Sequence, residues 1–184
     1  LRAAGGVPIE RAQDSGDQAA ASARNSKLLS GASSVVAKGG RLMIFPEGTT
    51  HTGSEVKRVR SGAGRILLAA RRQAQKEGFA EPQLVPIGLH YSNSQRFRER
   101  AAVMIERAMV FDSIPEEVDD EVVQDQLDRA WVKDVTDAIG VELKRASLSK
   151  TSWRERTLIW KGRSLAYAER ARQMDGKLTK PSYA

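Results

Sequence analysis

The stretch that most limits how this chain can fold is RLMIF (41–45), which runs into PEGTTHTGS and then into SGAGRILLAARRQAQKEG (61–78). A short continuous apolar run bounded by proline and glycine reads as a strand covered on both faces. Ser61 is placed to cap the next helix, Ile66, Leu67 and Ala70 form its apolar stripe, and Gly78 stops it. Between strand and helix the chain sets one carboxylate, Glu47, on a glycine-containing turn, followed by small hydroxyl, imidazole and glycine positions. Such a turn suits a place where backbone amides meet a polar ligand. It equally suits an ordinary loop.

Similar units flank this one. GGVPIER (5–11) alternates Val7 and Ile9 as a short strand does. Asp14 or Asp17 can cap a helix rich in alanine (Ala19, Ala20, Ala21, Ala23) that continues through Leu28, Leu29, Val35 and Val36 to Gly39–Gly40. LVPIGLHY (84–91) is another strand, with Pro86 marking an edge or bulge, and RAAVMIERAMVF (100–111) one more. This order predicts an α/β fold, a mixed central sheet flanked by helices. From about Pro115 the spacing of Val123, Leu127, Val135 and Leu143 becomes helical, and a second helix runs from Thr151 or Ser152 to about Asp175. The expected division is an α/β domain over 1–112, a helical extension over 113–175 and a loose tail over 176–184.

Composition removes some chemistries. With no cysteine among 184 residues there is no disulfide, no thiolate metal site and no cysteine-bound acyl intermediate. No apolar run approaches the ~20 residues that a membrane-spanning helix needs. No metal-ligand cluster is visible, and no cofactor is expected. Charge is segregated: residues 1–111 hold 17 basic and 9 acidic side chains, 112–142 hold 2 and 11, and 143–184 hold 11 and 3. Either an acidic helix pairs with a basic one, or the basic regions attract an anionic substrate or lipid surface. Aromatic content of 5% and the lack of a recognition-helix or stacking motif argue against a nucleic-acid partner.

GGVPIER, FPEGTTHTGS and VPIGLHY all fall at the C-terminal ends of predicted strands, the edge where open α/β sheets bind ligands. Arg11 supplies a fixed positive charge there, Glu47 a carboxylate, and Gly48 room for a ligand against the backbone. Lys57, Arg58 and Arg60 precede the helix that starts at Ser61, whose amino terminus favours an anion. Guanidinium and amide donors together suit a phosphate monoester, and a carboxylate beside them can take hydroxyl donors.

In this order the three stretches resemble the second, third and fourth motifs of the glycerolipid acyltransferases, the superfamily of glycerol-3-phosphate and lysophosphatidic acid acyltransferases. The resemblance covers roughly residues 3–112 and rests on Gly6, Pro8, Phe45, Pro46, Val85 and Pro86 as well as the polar positions. It implies acyl transfer from an acyl-CoA or acyl-carrier-protein co-substrate to a hydroxyl of glycerol 3-phosphate, dihydroxyacetone phosphate or a lysophospholipid. By matching position Arg11 holds the phosphate, Glu47, Gly48 and Thr49 line the glycerol side, and Lys57 or Arg60 adds positive charge. The resemblance also implies a peripheral place at the cytoplasmic face of an anionic membrane, or in the cytoplasm.

Two departures matter. Thr50 stands where the third motif usually has arginine, and the H-x-x-x-x-D pair that takes the hydroxyl proton is absent. His51 is followed five residues on by Val56, and His90 by Gln95. The chain begins at Leu1, so the expectation is a C-terminal piece whose base lies upstream, inactive as it stands, with an apolar patch where its opening elements would pack and poor solubility in consequence. The alternative is a non-catalytic phosphate- or lipid-binding remnant of the same fold. His51 reads as a solvated loop residue and His90 as a structural one. Trp153, Trp160 and the nearby arginines either dock on the acidic helix before them or meet a lipid headgroup layer.

Overall fold

The computed structural model describes residues 18–91, 98 and 101–173, so the predicted strand at 5–11 and the caps Asp14 and Asp17 lie outside it. The described residues form four helices and one two-stranded sheet, a helix-rich α/β arrangement. The chain divides into two units, the first within Leu1–Gly48, Arg60–Leu84 and Val110–Asp137, the second within Thr49–Val59, Val85–Met109 and Ala138–Ala184.

In the first unit α1 (Gln18–Ala37) meets α2 (Gly62–Glu77) through small side chains: Ala37, Ala70 and Ala74 are all but fully buried, with Val36 packed beside them. Side chains of this size let the two helix backbones approach closely. Gly39 (φ +80°) ends α1, and Gly40 N–H returns to the Val35 carbonyl at 2.9 Å. Gly78 (φ 71°) ends α2 in the left-handed conformation that glycine adopts without a Cβ penalty. Ile66, Leu67 and Leu68 are buried, as are Trp131, Val132 and Val135 of α3 (Glu121–Ala146). Where α2 passes α3, a Cβ on Gly64 would sit 3.1 Å from the Val132 carbonyl oxygen. Asp120 caps α3 by accepting the Val122 and Val123 N–H groups at 2.9 and 3.1 Å. Arg72 and Asp128 form a two-pronged ion pair, and Arg71 lies 5.6 Å from the Phe111 ring centroid and 5.9 Å from that of Trp131.

In the second unit β1 (Ile87–Tyr91) pairs antiparallel with β2 (Ala101–Ile105), with Ile87 opposite Ile105 and Tyr91 opposite Ala101. Both strands are shorter than the apolar runs that announce them. On one face Gly88 and His90 are buried; on the other Ile87, Leu89, Tyr91, Val103 and Ile105 remain exposed. Helix α4 (Trp153–Gln173) starts where Ser152 Oγ accepts the Glu155 N–H at 3.2 Å.

Two expectations are corrected. RLMIF forms no strand: Leu42, Met43, Ile44 and Phe45 are 37–75% exposed and in irregular backbone. A strand needs a neighbour to take its N–H and C=O groups as well as apolar cover, and this run has no ladder partner among the described residues. Consequently the described residues build a two-stranded antiparallel sheet in place of the mixed central sheet expected. Uncovered apolar surface is present, at 42–45 and on the outer face of β1 and β2.

Candidate functional site

The predicted site residues divide between the two units. In the first, residues 45–48 form a tight turn in which Gly48 N–H donates to the Phe45 carbonyl at 3.1 Å. Arg60 N–H donates to the Pro46 carbonyl at 2.8 Å and fastens the turn from the other end of the loop. Gly48 has φ +63°, and a Cβ there would lie 2.9 Å from both Cδ and Nε of Arg60. The Arg60 stem therefore lies across Gly48, and only glycine gives both the backbone conformation and the space. The structure thus brings Phe45, Pro46, Glu47, Gly48 and Arg60 together. Ser61 occupies the capping position of α2 but stays in helical backbone (φ −68°, ψ −4°), and its hydroxyl makes no capping bond.

Thr49 and Lys57 belong to the second unit. There His51 is half-buried, and its Nδ1 accepts the Gly53 N–H at 3.1 Å. A Cβ on Gly53 would meet that nitrogen at 3.2 Å and Lys57 Cε at 3.8 Å. Val85 is partly exposed, and the Pro86 carbonyl accepts the Glu106 N–H at 3.0 Å, extending the strand pair by one rung. Arg11, Gly6 and Pro8 lie outside the described residues.

Sequence reasoning missed what holds the polar loop. Val56 N–H donates to Ser149 Oγ at 2.8 Å, and Trp153 Nε1–H to the Thr52 carbonyl at 3.1 Å. Arg156 donates to the buried Ser54 carbonyl at 3.4 Å, its guanidinium 5.0 Å from the Trp153 ring centroid. Arg156 is itself buried, and burial pulls its guanidinium below the usual value. One turn further along α4, Trp160 stacks on His90 with centroids 4.1 Å apart and planes 24° off parallel. Burial first, and the charge of Arg156 second, lower the His90 pKa from the ordinary histidine value. His90 thus packs between β1 and α4. Of the tryptophans of α4, Trp153 meets the loop and Trp160 meets β1. The only advance signal was their position among arginines.

A cleft of about 420 Å³ in the second unit is lined by Glu55, Val56, Lys144, Ser149, Lys150 and Glu155. Thr151 Oγ1 also borders it, donating to Glu155 Oε2 at 2.9 Å. Its mixed charges offer no focused field for an anion, and none of the predicted substrate-binding residues lines it.

Residues 1–90, a little under half of the chain, match a family model described as Acyltransferase. No curated protein and no solved structure matches the chain. The family match supports a general acyltransferase function and agrees with the motif resemblance over the same residues. Among the described residues no helix is long and apolar enough to cross a membrane.

Proposed function

We propose that this chain carries acceptor-binding residues of an acyltransferase acting on a phosphate-bearing glycerol. The observation that supports this is the turn at 45–48: a carboxylate on a glycine turn, with Arg60 drawn across the glycine, inside the stretch that matches the acyltransferase family. In this reading the Arg60 guanidinium holds the phosphate, while Glu47 takes a hydroxyl hydrogen bond. The acceptor hydroxyl loses its proton to a base, its oxygen attacks the thioester carbonyl of acyl-CoA or acyl-carrier protein, and the carbon–sulfur bond breaks to release the thiol. The 184 residues contain no H-x-x-x-x-D pair to serve as that base. The acyltransferase portion is 1–112, with 113–175 a helical extension, and the work takes place at an anionic membrane surface.

The test is acyl transfer by the complete open reading frame, with glycerol 3-phosphate, dihydroxyacetone phosphate and a lysophospholipid offered in turn. Arg60→Ala is expected to lower kcat/KM for phosphate-bearing acceptors by about 10- to 100-fold, the worth of a charged hydrogen bond, and to spare a phosphate-free acceptor. Equal loss on both acceptors would remove Arg60 from the phosphate. A second reading, a binding module without turnover, is favoured by the missing histidine–aspartate pair. It predicts calorimetric binding of glycerol 3-phosphate and no acyl transfer.

A further inference from the structure

The loop between Gly48 and Arg60 is irregular along its length, and its main chain is held by groups 93 to 102 residues away. Val56 N–H donates to Ser149 Oγ, Lys150 N–H to the Ser54 carbonyl at 3.4 Å, and Trp153 Nε1–H to the Thr52 carbonyl. Arg156, in the first turn of α4, donates to the same Ser54 carbonyl. These partners all lie in 149–156, outside residues 1–90 that match the acyltransferase family model. Arg156 is an unusual strut. It is 9% exposed, no carboxylate among the described residues pairs with it, and its Nε is buried without an acceptor there. Arginine is seldom buried without a paired charge, and an apolar side chain of similar length would fill the space with less desolvation. An apolar side chain could not, however, hold Ser54 by its carbonyl. Trp153 serves the guanidinium with a ring at 5.0 Å and the loop with its own N–H.

We infer that Arg156 and Trp153 are positioning residues for the polar loop, through which the segment 149–156 sets the path of the chain into the acceptor site. The inference rests on the reading of Glu47, Gly48 and Arg60 proposed above. Thr49 follows Gly48 and Val59 precedes Arg60, so the loop joins the two ends of that site by chain connection alone. Released at Thr52, Ser54 and Val56, it would no longer fix where Arg60 is delivered. Misplacing a binding group by about 1 Å can cost on the order of 100-fold in rate. Neither Arg156 nor Trp153 meets substrate; each acts through the loop carbonyl that it holds. The loop and Ala138–Ala184 fall in one unit. The helical extension is then a working part of the acyltransferase, and the stretch that matches the family does not order its own polar loop.

Hydrogen exchange and steady-state kinetics on the complete open reading frame test it together. Arg156→Met keeps the stem and removes the guanidinium; Trp153→Phe keeps a ring for Arg156 and removes the N–H. With circular dichroism unchanged, each should speed exchange of the 51–57 amides about tenfold or more. Each should also raise KM for glycerol 3-phosphate about tenfold and leave KM for acyl-CoA within about twofold. Arg156→Lys, which can still reach a carbonyl, should recover part of both effects. A role in stability alone would lower the melting temperature and leave the acceptor KM where it was, and that result overturns the inference. So does unchanged exchange at 51–57 in both folded variants, or an equal loss on donor and acceptor. Should Arg156→Met not fold, Trp153→Phe decides by the same readings. Where the wild type binds glycerol 3-phosphate without turnover, the calorimetric Kd takes the place of KM. A wild type that neither transfers nor binds defeats the acyltransferase reading. Exchange then decides alone: faster in the variants, the loop depends on 149–156; unchanged, it does not.

Discussion

Helices α1 and α2 in the first unit meet through buried alanines, whereas α4 in the second is held by groups that carry or can acquire charge. Ala37, Ala70 and Ala74 gain from exclusion of water and from close packing, neither of which involves a titratable group. The contacts of α4 are of another kind: Trp160 on the His90 ring, Arg156 on a backbone carbonyl and over Trp153, and Trp153 on the Thr52 carbonyl. Of these groups His90 and Arg156 are buried, and a buried polar group is sound only while its partner stays in place. The same side chains also fasten the loop after Gly48. The difference teaches that the α1–α2 seam contains no titratable group, while the clasp on α4 includes one, the His90 ring.

The sharpest way to break this contrast is steric. A Cβ on Gly88 would lie 2.1 Å from the Ala146 carbonyl oxygen and 2.4 Å from its carbon. Both are backbone atoms, which cannot swing aside as a side chain can, so Gly88→Ala must push β1 and the end of α3 apart. The expected cost is about 3 kcal/mol or more, the upper range for overpacking, read as a loss of stability in the second unit by thermal or urea unfolding. Its counterpart in the first unit is Ala70→Leu, at a fully buried position of the α1–α2 seam. Extra methylenes there should cost about 2 kcal/mol. Hydrogen exchange should then rise in α1 and α2 and stay unchanged in β1, β2 and α4. Spread of either effect through both units would show that the two are not separately held.

How legible all this was depended on the range of the interactions. Helix α2 was readable because Ser61 and Gly78 mark its ends locally, and Gly48 was readable as a turn glycine for the same reason. The start of α3 was placed too early: Val118 N–H instead meets the Gln124 side chain at 2.8 Å, and Asp120 sets the first turn. RLMIF was misread because an apolar run states only that a segment prefers to leave water. It does not say which neighbouring strand accepts its hydrogen bonds. Arg60 meets Gly48 and the Pro46 carbonyl across the loop of residues 49–59. The tethers of that loop, by contrast, join residues 93 to 102 apart, at Val56–Ser149, Thr52–Trp153 and Ser54–Arg156, and nothing in the local pattern announces them.

The smallest expected effect is the one that separates the two kinds of contact most cleanly. Its folded-state pKa lowered by burial and by Arg156, His90 is favoured as the neutral ring on which Trp160 stacks. The charge that acts on it from α4 is that of Arg156. In the unfolded chain histidine titrates near about pH 6.5. Below that pH the unfolded chain binds a proton that the folded one resists, so the contribution of His90 is complete above about pH 6.5 and is lost as pH falls through the lowered folded value. Between pH 7.5 and 5.5 the second unit should therefore lose stability while the α1–α2 seam does not. His90→Phe, which keeps a ring for Trp160 and cannot take a proton, should flatten that slope. Urea unfolding followed by tryptophan fluorescence at the two pH values measures it. An unchanged slope in the variant would mean that the clasp on α4 is indifferent to the protonation of His90, and the contrast between the units would then rest on steric packing alone.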